Sequence, residues 1–241
     1  MLVDPDKTDG AWNIEGFSSN PPDKEAFRQA FAKASKDVAL KPVPKPKFYL
    51  VTPRDWLAEN LANFPPLKIG RYFIYGTHFD GLVPTCSIAL QLNAGTAFGS
   101  GEHPSTAGCL MAIDWLARRS RIKRPLDMGC GSGILAMAMA KTWRTPVVAC
   151  DIDDEAARVT VANAKLNKIK QLIRVRTGPS YQTPMVVRSR PYDLIATNIL
   201  SRPLKAMAGD LVTALAPGGI AILSGLLKRD SQLVIRAHPI R

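Results

Sequence analysis

The stretch LDMGCGSGIL, residues 126–135, narrows most what this chain can fold into. An apolar run ends near Met128, glycines follow at 129, 131 and 133, and a helix-compatible run begins near Ser132. A strand, a glycine turn and a helix in that order bring backbone N–H groups and a helix N-terminus to a ligand. The G-x-G-x-G spacing differs from the G-x-G-x-x-G of dinucleotide sites, and no G-x-x-x-x-G-K-[ST] occurs, which excludes a P-loop.

The sequence around this turn alternates. Helices are expected at 104–120, 132–142, 155–167, 202–215 and 228–236, and strands at 124–128, 146–151, 171–177, 192–197 and 219–224. PVVACD and IAILSG are apolar throughout, as strands covered on both faces are. The rhythm predicts an α/β fold with a parallel sheet between helices. Upstream, residues 23–36 place Ala26, Phe27, Ala30, Phe31 and Ala34 on one helical face. KPVPKPK at 41–47 reads as a stiff connector. Strands are expected at 48–52, 71–76 and 87–93, with a short helix at 53–64 started by Pro53. The expected organisation is a small module with its linker, residues 1–66, followed by a cofactor-binding domain, residues 67–241.

Asp151 stands 22 residues after Gly129 at the end of the next strand. A carboxylate there can accept hydrogen bonds from both hydroxyls of a ribose. Asp127, just before the turn, can face an ammonium group or orient the turn itself. A ribose acceptor, a short loop and no phosphate clamp suit S-adenosylmethionine, which carries a sulfonium and an amino-acid tail. The candidate cofactor contacts in this part are Asp127, Gly129, Gly131, Asp151 and its neighbour Ile152. Asn198 follows the apolar run YDLIAT, at the edge where open parallel sheets bind ligands. Its amide carbonyl can accept hydrogens from an attacking amine. Ile199 and Leu200 follow it in place of an aromatic ring, which leaves room for a flexible aliphatic amine rather than a planar acceptor.

A second glycine-rich stretch, NAGTAFGSGEHPST at 93–106, has no lysine and no phosphate-loop pattern. It reads as a lid and helix cap, with Phe98 closing over the ligand and Thr106 reaching it from the next helix. His103 is either a general base or a residue that orders this loop at the helix start; its unperturbed pKa of about 6.5 allows the first.

The formal net charge of +12 is compatible with a ribosome-associated partner or nucleic acid, though its dispersal also fits a solvated basic surface. The four cysteines, at 86, 109, 130 and 150, have no zinc-pair spacing and read as reduced and mostly buried. No apolar run of membrane-spanning length and no signal-peptide pattern is present in the sequence, so a cytoplasmic location is expected.

Together, AFGSGEHPST, LDMGCGSGILAMA, ACDID, YDLIATNIL and LAPGGIAILSGLL closely resemble the bacterial methyltransferases of ribosomal protein L11, the PrmA family. The resemblance is strong over about residues 70–227 and weaker toward the N-terminus. It implies a Rossmann-like class I methyltransferase fold with a small N-terminal α/β substrate-recognition module. It also implies methyl transfer from S-adenosylmethionine to lysine ε-amines and the N-terminal α-amine of the ribosomal protein. Carried over by position, the cofactor contacts are Thr106, Gly129, Asp151 and Asn198, with Phe98 in the lid-like segment. The family continues past SGLL with a helix and two further strands, so the C-terminal strands are expected to be missing and strand 219–224 to form a sheet edge. The alternatives are a methyltransferase of RNA or small molecules and an inactive cofactor-binding module.

Overall fold

A computed structural model of the chain describes residues 16–18, 20–37, 45–50, 65–93 and 103–238. Its backbone falls into two compact units, Met1–Arg54 and Asp55–Arg241. In the first, helix α1 (Lys24–Asp37) starts where the Asp23 carboxylate accepts the N–H groups of Glu25 and Ala26, both at 3.0 Å. Phe27 stacks on Phe31 and meets Phe48 edge-on at 5.5 Å between ring centroids. The strand expected at 48–52 does not form over 48–50: the Phe48 ring is engaged by α1, with Lys24 and Arg28 over its face, and no strand partner adjoins it among the described residues. Residues 51–52 and the helix expected at 53–64 lie outside the described residues.

The second unit holds two sheets. Strands β1 (Leu67–Ile69), β2 (Tyr72–Gly76) and β3 (Ile88–Leu92) form a small sheet, β1 antiparallel and β3 parallel to β2. The larger sheet contains β4 (Pro125–Met128), β5 (Val147–Asp151), β6 (Ile173–Thr177), β7 (Tyr192–Asn198) and β8 (Leu215–Ser224). Its order is β6-β5-β4-β7-β8 and every pairing is parallel. The chain runs outward from β4 in one direction through β5 and β6, then crosses back to β7 and β8. This reversal at β4 opens a crevice beyond the strand ends, where doubly wound sheets bind ligands. The fold is the Rossmann-like α/β arrangement that the sequence implies.

The helices of this unit are α2 (Pro104–Ala117), α3 (Ile134–Trp143), α4 (Asp154–Leu166), α5 (Pro184–Arg188), α6 (Ser201–Ala206), α7 (Ala208–Ala214) and α8 (Ser231–Ala237). Strand alternation divides the core in two. Leu194 and Ala196 pack with α2, α3 and the small sheet, while Leu126, Met128 and Ile195 pack with Val186, Leu211 and Ala214. Every residue of α3 from Ile134 to Ala140 is buried, and its alanines let that helix fit within this core.

The boundaries differ from expectation at several places, three of which alter an element's extent or continuity near the site. The helix expected at 104–120 ends at Ala117, capped by Arg118. The helix expected at 202–215 divides at Met207 into α6 and α7. Strand β8 begins at Leu215, four residues early, and carries Pro217, Gly218 and Gly219. Among the described residues β8 pairs with β7 alone, so Pro217 withholds no donor from a second neighbour. The expected edge position of this strand is thus observed. Cys109, Cys130 and Cys150 are buried and Cys86 is exposed, all four as free thiols. Burial pushes the Cys109 thiol up to about 11, which keeps it protonated and unreactive.

The free side of β3 is met by side chains rather than by another strand. Asn167 accepts the Gln91 N–H at 3.0 Å and donates to the Gln91 carbonyl at 2.7 Å, mimicking a peptide partner. Lys141 donates to the Ala89 carbonyl and to the same Asn167 oxygen. Replacing Asn167 with Ala removes hydrogen bonds to the Gln91 N–H and carbonyl, to Lys141 and to the Asn163 carbonyl at once. The expected loss is roughly 2 kcal/mol, equivalent to a fall of about 4–8 °C in Tm for a domain of this size. Thermal unfolding followed by circular dichroism measures it, and an unchanged Tm would mean that β3 does not depend on this contact.

Candidate active site

The turn between β4 and α3 folds back on β5. The N–H groups of Gly129 and Cys130 both donate to the Cys150 carbonyl, at 2.7 and 3.1 Å, and Gly133 donates to the Cys130 carbonyl at 2.7 Å. Gly129, Gly131 and Gly133 all have positive φ. Two of them also make room: a side chain at Gly129 would collide with Ile199, and one at Gly133 with Thr160. The Gly131 N–H donates to Asp151 Oδ2 at 2.8 Å, and Asp151 Oδ1 accepts the Asp153 N–H at 3.1 Å. The carboxylate at the end of β5 therefore sits against the loop, and each oxygen retains lone-pair capacity for another donor. Ile152, beside it, is 74% exposed, a large apolar side chain facing solvent next to a charged one.

Asp127 is fully buried beneath the turn. Its Oδ2 accepts the Ala136 N–H at 2.8 Å in the first turn of α3, while Oδ1 has no hydrogen-bond partner among the described residues. Burial pushes its carboxyl up to about 7, against the lowering effect of the Ala136 bond and with some addition from the Asp151 charge. The bond to Ala136 orients the turn, and the second oxygen is available to a cation.

Asn198 ends β7 and its Nδ2 donates to Thr106 Oγ1 at 3.1 Å. Two residues 92 positions apart thus meet at the crevice, Thr106 fully buried in the first turn of α2. The Asn198 Oδ1 is buried and has no hydrogen-bond partner among the described residues. His103 is the N-cap of α2: its Nδ1 accepts the Ser105 N–H at 3.3 Å and lies 2.8 Å from the Ser105 hydroxyl, with Pro104 opening the helix. Phe98 lies outside the described residues.

Further residues of the site were not singled out from the sequence. Ser224, paired across the sheet with Asn198, donates to the Ser105 carbonyl at 3.1 Å and so ties β8 to the turn that carries Thr106. Gly225, with φ +83°, packs so tightly on the Ile199 backbone that no side chain fits. Thr160 and Asn163 of α4 bond the carbonyls of Gly131 and Ser132, both at 2.9 Å. Polar residues three apart on a helix that otherwise turns alanines inward were the available signal for the last two. An open cleft of about 940 Å³ runs between α4 and β6, lined in part by Asn93, Val161 and Arg176, and flanks the site. Among the described residues there is no group of three His, Cys, Asp or Glu side chains placed to hold a metal, and no helix long and apolar enough to cross a membrane.

The family model of the ribosomal protein L11 methyltransferases (PrmA) matches residues 5–239. The chain is 37% identical over 240 residues to a ribosomal protein L11 methyltransferase of Caulobacter sp. (strain K31), covering 100% of this chain and 80% of that protein. It is 41% identical over 184 residues to one of Mesorhizobium japonicum, covering 76% of this chain and 63% of that protein, less than two thirds of its length. Among solved structures, the ribosomal protein L11 methylase of Lactobacillus delbrueckii subsp. bulgaricus superimposes with a TM-score of 0.64 at 28% identity, over 71% of this chain and 86% of that one.

The raised Asp127 value has a testable consequence. Its folded-state pKa, about 7, lies above the ordinary 3.8, so protonation favours the folded form. That stabilisation is full below the unfolded value and is lost as the pH rises through the folded one. Asp127→Asn removes this dependence. Relative to the parent, its thermal stability is expected to rise progressively between about pH 4 and about pH 7. Parallel melting profiles for the two proteins across that window would contradict an elevated value.

Proposed function

The chain belongs to the ribosomal protein L11 methyltransferase (PrmA) family, and on that premise we propose that it transfers methyl groups from S-adenosylmethionine to lysine ε-amines and the N-terminal α-amine of ribosomal protein L11, free or on the ribosome. The observation that carries this reading is the Thr106–Asn198 pair, which leaves one neutral, buried carbonyl oxygen at the crevice beside the glycine loop.

S-adenosylmethionine supplies a methyl group on a sulfonium sulfur, from which it leaves readily, so the protein's task is mainly positioning. The chain's residues suit that ligand. The N–H groups of Gly129, Cys130, Gly131 and Gly133 are all bonded within the protein, so the loop offers shape and few donors for a phosphate. Asp151 would hold the ribose through its hydroxyls, and the exposed Ile152 side chain would offer an apolar contact beside it. Asp127, through its unpartnered second oxygen, would hold the ammonium of the amino-acid tail. Gly129 and Gly131, with their positive φ, would admit the ligand at the turn, and Phe98 is the remaining contact this reading assigns.

The attacking amine must be unprotonated, whereas a free lysine titrates near about 10.4. Desolvation lowers that value, and Asn198 Oδ1 accepts an amine hydrogen without adding the negative charge that would hold the proton on. With the amide donating through Nδ2 to the Thr106 hydroxyl, its carbonyl is the end presented. Ile199 packs toward Gly129 and Leu200 is 74% exposed, an aliphatic surround that suits an aliphatic amine. His103 serves as the cap that holds the first turn of α2, and with it Thr106. No membrane takes part, direct contact with nucleic acid is not required, and the reading places the enzyme in the cytoplasm.

Incubation with methyl-labelled S-adenosylmethionine separates the reading from its rivals. Label is expected in ribosomal protein L11 and not in ribosomal RNA; the reverse distribution overturns the assignment. Asn198→Ala is expected to reduce the transfer rate by about 10²-fold or more, while the Kd for the cofactor changes much less. Equal losses in both would reduce Asn198 to an anchor for the cofactor.

A further inference from the structure

Helix α4 carries Thr160 and Asn163 at i and i+3, and Asn167, at i+7, caps its C-terminus on the same side. Thr160 and Asn163 are fully buried among alanines, where polar side chains are unusual and persist when bonded. Both are bonded to segments of the candidate site. Thr160 donates its hydroxyl to the Gly131 carbonyl at 2.9 Å. Asn163 donates to the Ser132 carbonyl at 2.9 Å and accepts the Asn93 N–H, at the exit of β3, also at 2.9 Å. Asn167 continues the row onto Gln91.

We propose that Thr160 and Asn163 are positioning residues for cofactor binding, which set the conformation of the glycine loop from its outer side. The inference rests on the functional reading above. Peptide planarity supplies the mechanism: holding the carbonyl of residue 131 fixes the direction of the N–H of residue 132, and holding that of 132 fixes the N–H of 133. Gly131 is thereby held at both of its peptide groups, its N–H by Asp151 and its carbonyl by Thr160. These two restraints come from the end of β5 and from the helix that follows it, so the residue that meets the ribose and the residues that shape the loop belong to one supersecondary unit. Asn163 extends the restraint to the exit of β3, which leads into the second glycine-rich stretch. Three left-handed glycines in five residues would otherwise sample many conformations, and ordering them at the moment of binding would weaken affinity.

Thr160→Val keeps the shape of the side chain, including the methyl group against Gly133, and removes the hydroxyl. Calorimetric titration with S-adenosylmethionine is expected to give a Kd raised about tenfold, with kcat at saturating cofactor within about twofold of the parent. Thr160→Ser restores the hydroxyl and is expected to return the Kd to near the parental value. Asn163→Ala is expected to weaken binding in the same direction; should it fail to fold, the Thr160 pair carries the test. A folded Thr160→Val protein with an unchanged Kd overturns the inference while leaving the functional reading in place. A parent protein that does not bind S-adenosylmethionine overturns both.

Discussion

The Asp151 carboxylate, accepting the Gly131 N–H at 2.8 Å, is the interaction on which the rest of the site depends. It joins the end of one parallel strand to the turn that leaves its neighbour, at the place where the strand order reverses. One carboxylate oxygen holds the loop and the other begins α4 through the Asp153 N–H. The same group, which the proposed function assigns to a ribose, is thereby held by bonds that also fix the loop and the helix around it. A side chain restrained by two backbone donors has little freedom to lose on binding, which is how a small surface carboxylate becomes a selective acceptor.

Polar side chains perform comparable work at the other seams of the domain. Asn198 and Thr106 join β7 to α2, Ser224 joins β8 to the same helix turn, and Asn163 and Asn167 join α4 to the small sheet. In each case a side chain meets a backbone group or another side chain where two elements cannot share a ladder. The crevice is built at the meeting of these seams. Among the described residues, the neutral acceptor Asn198 Oδ1 and the acid oxygen Asp127 Oδ1 are left without hydrogen-bond partners after the internal bonds are made. On the proposed function, the first of these would take an amine hydrogen and the second the cofactor's ammonium.

Much of the fold and the outline of the site could be read directly from the sequence. Gly129, Asp151 and Asn198 were legible because each lies at the end of an apolar strand, where local pattern alone places it. The parallel sheet followed from the strand and helix rhythm, and the edge position of β8 from the family resemblance. What escaped depends on distant partners. Thr160 and Asn163 look like ordinary polar helix positions until the glycine loop and β3 are brought beside them, 29 to 70 residues away in sequence. Ser224 acquires a role only because α2, 119 residues earlier, lies across the strand ends. Phe48 has the neighbours of a strand residue, yet its ring is bound to α1. His103 caps α2, a role its place before Pro104 allowed alongside the catalytic one.

The central claim is that the glycine loop and Asp151 form one site for S-adenosylmethionine. Calorimetric titration of the parent chain and of Asp151→Ala tests it most directly. The account predicts one binding site per parent molecule and an affinity lower by about tenfold or more in the variant, the loss expected when a charged hydrogen-bond acceptor is removed. Equal affinity in the two proteins would contradict it.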